Sequence, residues 1–267
     1  MLCERNTDSI NVDTLDVGSG PNVVLVHSSV SGNRQWRRLI ESLRTRYRVV
    51  APNLLGYGST TPWANQAPPE LDDAVYPVLS VCRNLSGSIR MVGHSWGAAI
   101  ALRAASVLRN RVTELVLYEP MITGLALHSL SEEARAEAAE LTQDIAIFAQ
   151  TKDWMGMARR FTNYFNGDGA WEATPPDRQA AIVASVPPIV HDSALSSQMT
   201  EMALFAGVQA RTLLLAGSQS RAVMLEVARI LRNANPNWQY EEIAGWEHMA
   251  PITRAGEFIG RVEQFLS

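Results

Sequence analysis

Short apolar runs alternate with longer amphipathic stretches along most of this chain, and that alternation limits the fold more than any other feature. Residues 23–26, 48–51, 90–92, 115–118 and 212–216 are short and mainly apolar, the pattern of strands buried on both faces. Residues 239–243 read as a last strand. Between them, 34–44 carries Trp36, Leu39, Ile40 and Leu43 at helical spacing, and 71–83, the Ala-rich 96–108, 223–231 and 258–266 also read as helices. Strands alternating with helices imply βαβ units. The expected class is therefore α/β, a mostly parallel twisted sheet flanked by helices. Upstream, Ile10, Val12, Leu15 and Val17 alternate with polar residues before a GSGPN turn at 18–22, which reads as a half-exposed strand entering a hairpin.

One stretch breaks the rhythm. From 121 to 206 there is no convincing strand, only a Glu/Ala tract at 131–150 and further helical segments separated by turns such as TPPDR. It reads as a helical insertion between two strands of one sheet, dividing the chain into a core of 1–120 and 207–267 and an insertion of 121–206. Phe148, Trp154, Met155, Met157, Phe161, Tyr164, Phe165 and Trp171 are concentrated there. Most are expected to pack the inserted helices. Some are expected to line the cavity they cover, because ligand sites concentrate aromatic side chains; Trp154, Met155, Phe161 and Tyr164 are the candidates. Tyr57 is a further candidate wall residue, with Trp63 beside it, and core packing is the alternative for both.

Charge narrows the partners. With 23 Lys and Arg against 27 Asp and Glu, the net charge is −4. That disfavours nucleic acid and anionic membranes as partners. Two cysteines, Cys3 (near the terminus) and Cys82, make no disulfide framework and no metal-ligand spacing. Residues 1–20 contain no apolar core of a secretory signal, and no run of apolar residues is long enough to span a bilayer. The expectation is a soluble cytoplasmic protein, monomer or homodimer, that binds a small molecule and uses neither cofactor nor metal.

The sharpest local signal is Gly93-His94-Ser95-Trp96-Gly97, directly after the strand 90–92 and directly before the helix 96–108. A G-x-S-x-G segment in that setting is a nucleophile elbow, a turn sharp enough to force the serine into a strained backbone conformation and expose its hydroxyl. The two glycines remove side chains that would collide with the neighbouring strand and helix. The helix then aims free N–H groups at the same spot. The plainer alternative is Ser95 as an ordinary N-cap.

With His27-Ser28 after the first buried strand, Asn53-Leu54-Leu55-Gly56-Tyr57-Gly58-Ser59 after the second, the elbow, and Gly245-Trp246-Glu247-His248-Met249 near the end, the chain resembles the α/β-hydrolase superfamily over nearly its full length. The resemblance implies that the insertion is a helical cap and that the elbow follows the fifth strand of the family's numbering. It implies His248 as the base that activates Ser95, since the family places its histidine in a loop after the last strand. Of the other four histidines, His94 and His27 are expected to be structural, and His128 and His191 to lie on the surface or the pocket wall. The oxyanion hole would use the N–H of Trp96 and one from the loop after 23–26. Where the family usually carries His-Gly-x, this chain has His27-Ser28-Ser29; Ser29 supplies the second donor by position, with Ser28 as the alternative. The Ser29 hydroxyl is a possible third donor.

The acid departs from the commonest family pattern. That pattern puts Asp after 212–216, but Gly217-Ser218-Gln219-Ser220-Arg221 contains no carboxylate. Some members take the acid from the end of the strand after the elbow unit, which here points to Glu119 before Pro120. Against it stand a solvated loop role for Glu119 and three weaker candidates, Glu247, Asp192 and Asp168. The implied chemistry is hydrolysis of an ester or lactone of a largely apolar small molecule through an acyl-enzyme. Carbon–carbon bond hydrolysis of a diketone, a non-catalytic small-molecule receptor and a hydroxynitrile lyase are the alternatives on the same fold. Dehalogenases and epoxide hydrolases of this fold need an aspartate at the position of Ser95.

Overall fold

The computed structural model describes residues 10–63, 69–129 and 131–267; Cys3 lies outside them. Among the described residues seven strands form one sheet: β1 (Thr14–Val17), β2 (Asn22–Val26), β3 (Arg48–Pro52), β4 (Ile89–His94), β5 (Val112–Tyr118), β6 (Arg211–Gly217) and β7 (Gln239–Ile243). Their order is β1-β3-β2-β4-β5-β6-β7. Every pairing is parallel except β1 with β3.

The expected hairpin at 18–22 does not form. β1 pairs antiparallel with β3, Leu15 opposite Ala51, because both edges of β2 are taken by its parallel neighbours β3 and β4. Ile10 and Val12 precede the strand. β1 is thus the outermost strand, and its polar face meets solvent.

Side chains alternate between two cores, as the two-residue strand period requires. Val23, Leu25, Val49, Ala51, Val92, Val116, Leu213 and Leu215 pack with α1 (Arg37–Leu43), with Ala250 of the short α10 (Ala250–Thr253) and with α11 (Ala255–Leu266). Val24, Val26, Val50, Met91, Leu115, Leu117, Leu214 and Ala216 pack with α2 (Leu71–Arg83), α3 (Trp96–Leu108) and α9 (Ala222–Ala234). Each aliphatic side chain buried in this way contributes about 1.5–3 kcal/mol, which explains why the inner strands are apolar on both faces.

Between β5 and β6 lie α4 (Thr123–Leu127), α5 (Glu132–Thr151), α6 (Trp154–Asn166), α7 (Pro176–Ser185), α8 (Ile189–Gln198) and a 3-10 turn at Met202–Phe205, with no strand among the described residues. Ser131 caps α5 by accepting from the Ala134 N–H (3.2 Å), and Asp153 caps α6 by accepting from Gly156 (2.8 Å).

Strand order reverses beside β2. The chain leaves β2 toward β3 on one side and leaves β4 toward β5 on the other, with Val26 level with Gly93. Loops at such a switch point diverge and leave a crevice at the carboxyl edge of the sheet. The loop after β2 and the turn after β4 face each other there. That turn follows the fourth described strand, where the resemblance implied the fifth: the chain supplies one strand fewer ahead of it among the described residues.

Candidate active site

Ser95 stands alone between the end of β4 and the start of α3, at φ 57° and ψ −124°. A non-glycine residue there costs about 1–3 kcal/mol and persists only if its surroundings over-determine it. They do: the Ser95 N–H donates to the Tyr118 carbonyl (2.9 Å), and the Ser95 carbonyl accepts from the N–H groups of Ala98 (2.9 Å), Ala99 (3.1 Å) and Met121 (3.1 Å). The flanking glycines are needed for approach. A Cβ on Gly93 would sit 2.6 Å from the Ala98 Cα, and one on Gly97 would run into the carbonyl oxygens of Val26 and His27. The Ser95 side chain makes no capping hydrogen bond to α3, which sets aside the N-cap reading.

The hydroxyl is instead 3.0 Å from His248 Nε2, and His248 Nδ1 is 2.6 Å from Glu119 Oε2. All three side chains are buried. The other Glu119 oxygen, Oε1, accepts from the Gly217 N–H (2.7 Å) and the Ser220 hydroxyl (2.6 Å). The loop after β6 that lacks a carboxylate therefore supplies donors to the carboxylate at the end of β5. Glu119 is at φ 44°, pinned by its N–H on the Leu215 carbonyl (3.0 Å). Glu247 and Asp168 are exposed, and Asp192 bonds elsewhere.

The His248 loop is held by its backbone. Tyr118 Oη donates to the Glu247 carbonyl (2.6 Å), and His94 Nε2 donates to the His248 carbonyl (2.9 Å). His94 Nδ1 then accepts from Gln35 Nε2 (3.0 Å), whose Oε1 accepts from the Ser28 N–H (3.0 Å) and Ser28 hydroxyl (2.8 Å). Burial, with the neighbouring His248 adding to it, holds the pKa of His94 well below the usual value, so the ring is neutral as this chain of bonds requires. His27 is likewise neutral, its pKa pushed down to about 4 by burial; its Nδ1 donates to the Ser28 carbonyl (2.7 Å) and its Nε2 accepts from Leu54 (3.0 Å). His191 stacks on Trp63 with centroids 5.0 Å apart. Phe165 of α6 stacks on His248 at 4.5 Å.

This network corrects one expected donor. The Ser28 N–H is spent on Gln35, so it is not free for an oxyanion. The N–H groups of Ser29 and Trp96 have no partner among the described residues. The Ser29 hydroxyl is also committed, donating to Asp192 Oδ2 (2.7 Å).

A narrow cavity, partly open to solvent, meets Ser95. Met121, Leu141, Ile145, Phe161 and Ile189 form its apolar wall; Ser29, Trp96 and Asp192 close one end. Two of its hydroxyls are engaged with each other: Ser196 donates to the Met121 carbonyl (2.9 Å) and lies 3.1 Å from Thr123 Oγ1, while the Ser193 hydroxyl, also on the wall, has no hydrogen-bond partner among the described residues. Of the expected wall residues, Phe161 lines this cavity. Tyr164 lines a second, polar groove that also reaches His248, with Glu137, Arg221 and Ser220. Tyr57 is buried behind the wall and donates to Asp192 Oδ2 (2.6 Å). Met155 is corrected: α6 turns Met157, Ala158 and Phe165 inward, and Met155 is left 56% exposed. Trp154 is corrected as well, packing half-buried at the start of α6 away from the cavity wall.

Asp192 carries a second buried carboxyl. Burial pushes its pKa up to about 7, against hydrogen bonds from Tyr57, Ser29 and Trp96 that lower it. An unfolded Asp titrates near 3.8. Below that pH both states hold the proton; between about 4 and about 7 only the folded state does, so this carboxyl's contribution to stability is lost as pH rises through the window. The melting-temperature margin of the wild type over Asp192→Asn is expected to shrink steadily across that range. A margin independent of pH would contradict the shifted titration. Among the described residues no group of three or more His, Cys, Asp or Glu is placed to hold a metal ion, and no helix is long and apolar enough to cross a membrane.

Residues 21–255 match the family described as alpha/beta hydrolase fold. Lipase LipV of Mycobacterium tuberculosis is 36% identical over 106 residues, 39% of this chain and 39% of that protein. The 2-hydroxy-6-oxo-2,4-heptadienoate hydrolase of Pseudomonas putida is 34% identical over 119 residues, 40% of each chain. The chain thus spans about two-fifths of the length of the curated relatives it matches. The crystal structure of a bromoperoxidase from Bacillus anthracis shares the fold, with a TM-score of 0.76 at 21% identity over 96% of this chain and 95% of that one. With the family match running through the sheet from β2 to β7 and reaching His248, the chain belongs to the alpha/beta hydrolase fold family.

Proposed function

We propose that the chain is a serine hydrolase that cleaves an ester or lactone of a largely apolar small molecule. The observation that carries this reading is the continuous relay from Ser95 Oγ through His248 to Glu119, at 3.0 and 2.6 Å. Ser95 attacks the carbonyl carbon while His248 Nε2 takes its proton. Glu119 holds the Nδ1–H tautomer and stabilises the imidazolium. The carbonyl oxygen, now an anion, is received by the N–H groups of Trp96 and Ser29. Collapse expels the alcohol, which takes the proton from His248, and water activated by the same imidazole releases the acid.

The wall favours a largely apolar acyl group, because Met121, Leu141, Ile145, Phe161 and Ile189 dominate it and the Ser29, Thr123 and Ser196 hydroxyls are already bonded. Phe161→Ala enlarges that wall and is expected to raise kcat/KM for long-chain over short-chain acyl esters about tenfold. Met155→Ala, outside the wall, is expected to change the ratio less than about twofold. Equal responses would remove the cavity from acyl selection.

A second reading, hydrolysis of a carbon–carbon bond in a diketone, draws on the likeness to the Pseudomonas putida hydrolase and uses the same three residues. A panel of chromogenic esters, lactones and 1,3-diketones, with Ser95→Ala as the blank, separates the two. Ester or lactone turnover that Ser95→Ala abolishes supports the first. Turnover of the diketones alone replaces it with the second.

A further inference from the structure

The loop between β2 and the 3-10 turn at Asn33–Trp36 is strained where the site depends on it. Val30 adopts φ 70°, which a β-branched residue rarely does. Such a conformation must be held from outside the loop. The holding groups converge on one side chain of α8. Asp192 Oδ2 accepts from the Ser29 hydroxyl (2.7 Å) and the Tyr57 hydroxyl (2.6 Å), and the carboxylate is within hydrogen-bonding reach of the Trp96 side chain. The Tyr57 oxygen in turn is in reach of the Val30 N–H. Asp192, Ser29, Tyr57 and Trp96 are all buried.

Burying a carboxylate costs several kcal/mol unless it is well bonded, and the acid role is filled by Glu119. What Asp192 does touch is selective: Ser29 and Trp96 are the two residues whose backbone N–H groups flank the Ser95 hydroxyl in the reading above. We propose that Asp192 is a positioning residue for the oxyanion hole. It joins Ser29, on the loop after β2, to Trp96, at the start of α3, and with Tyr57 keeps the 29–30 backbone in its strained form. The inference rests on the proposed acyl-enzyme chemistry. The inserted helix α8 then completes the hole as well as covering it. In place of a flexible glycine at position 28, the loop owes its shape to a carboxylate more than 160 residues away.

The test uses the full-length chain at about pH 8, where the carboxylate is ionised, with Asp192→Asn and Tyr57→Phe as independent variants. Asparagine keeps the size but turns an NH2 toward one of the donors. Four quantities are read: kcat and KM on a short-chain chromogenic ester, the inhibition constant of a trifluoromethyl ketone (whose Ser95 adduct carries the oxyanion), and the rate of phosphonylation by a fluorophosphonate. For Asp192→Asn, kcat is expected to fall about 10- to 100-fold, a fraction of what deleting a whole donor costs, with KM within about threefold. Ketone affinity and phosphonylation rate should fall by a similar factor. Tyr57→Phe is expected to shift the same quantities in the same direction.

Unchanged kcat and ketone affinity in a folded Asp192→Asn would overturn the inference, as would a loss confined to KM or melting temperature. A wild type that neither turns over acyl substrates nor reacts at Ser95 would instead overturn the hydrolase reading itself. A wild type that does both, with variants that match it, removes only the role of Asp192.

Discussion

Ser95→Ala is expected to lower kcat at least a thousandfold, about 4 kcal/mol of barrier, with little change in KM. The hydroxyl is the only group at the cavity mouth that both faces a free imidazole nitrogen and stands beside two unpartnered backbone N–H groups among the described residues. Removing it leaves binding and the oxyanion donors in place, so a residual rate above water is expected. The fold should tolerate the change. The strained backbone of Ser95 is held by main-chain bonds to Tyr118, Ala98, Ala99 and Met121, none of which the side chain makes. Steady-state kinetics alongside circular dichroism separate the outcomes: a folded variant within tenfold of wild type would show that Ser95 is not the nucleophile.

Glu119→Gln is expected to cost about a thousandfold or more in kcat/KM, and the direction follows from which oxygen is bonded to what. Oε1 is held by the Gly217 N–H and the Ser220 hydroxyl, both of which seek an acceptor. A glutamine will keep its carbonyl oxygen there and turn its NH2 toward His248 Nδ1. That forces Nδ1 to accept and places the imidazole proton on Nε2, facing Ser95, where it cannot receive the serine proton. Glu247→Gln is the control: Glu247 is exposed, and its carbonyl rather than its side chain is used, by Tyr118. Its kcat/KM should stay within about twofold of wild type. Asp192→Asn should fall between the two. A Glu119→Gln enzyme as active as Glu247→Gln would move the acid role to another residue.

Much of this arrangement is legible in the chain because it depends on local periodicity. The helices at Leu71–Arg83 and Trp96–Leu108 and the strand at Gln239–Ile243 stand where the order of the sequence segments puts them. The elbow is legible for a steric reason, since only glycine fits at 93 and 97 in a strand–turn–helix so tight. What local pattern cannot carry is partner choice between distant segments. The alternation at 10–17 marks a strand but not its neighbour, and β1 passes over β2 to pair with β3. The periodicity of α6 distinguishes its two faces, yet the density of large side chains there points Met155 and Trp154 toward the cavity, whereas one faces water and the other packs at the helix start.

The polar network around the site was least legible. Gln35 links Ser28 to His94, and Ser220 supports Glu119, through contacts spanning 59 and 101 positions of sequence. Two signals were available. A hydroxyl stands in the carboxylate-free segment after β6, and Asp192 is a lone acid in the apolar stretch VPPIVHD. A buried charge without a local partner implies a distant one, and here the partners are Ser29 on the loop after β2, Tyr57 after β3 and the Trp96 side chain of α3.

The most direct measurement is peptide mapping by mass spectrometry after reaction with a fluorophosphonate. One phosphonyl group is expected, on Ser95, lost in Ser95→Ala and greatly slowed in a His248→Ala enzyme that remains folded. Labelling that persists in Ser95→Ala, or that maps to another residue, would contradict the proposed relay from hydroxyl to imidazole to carboxylate.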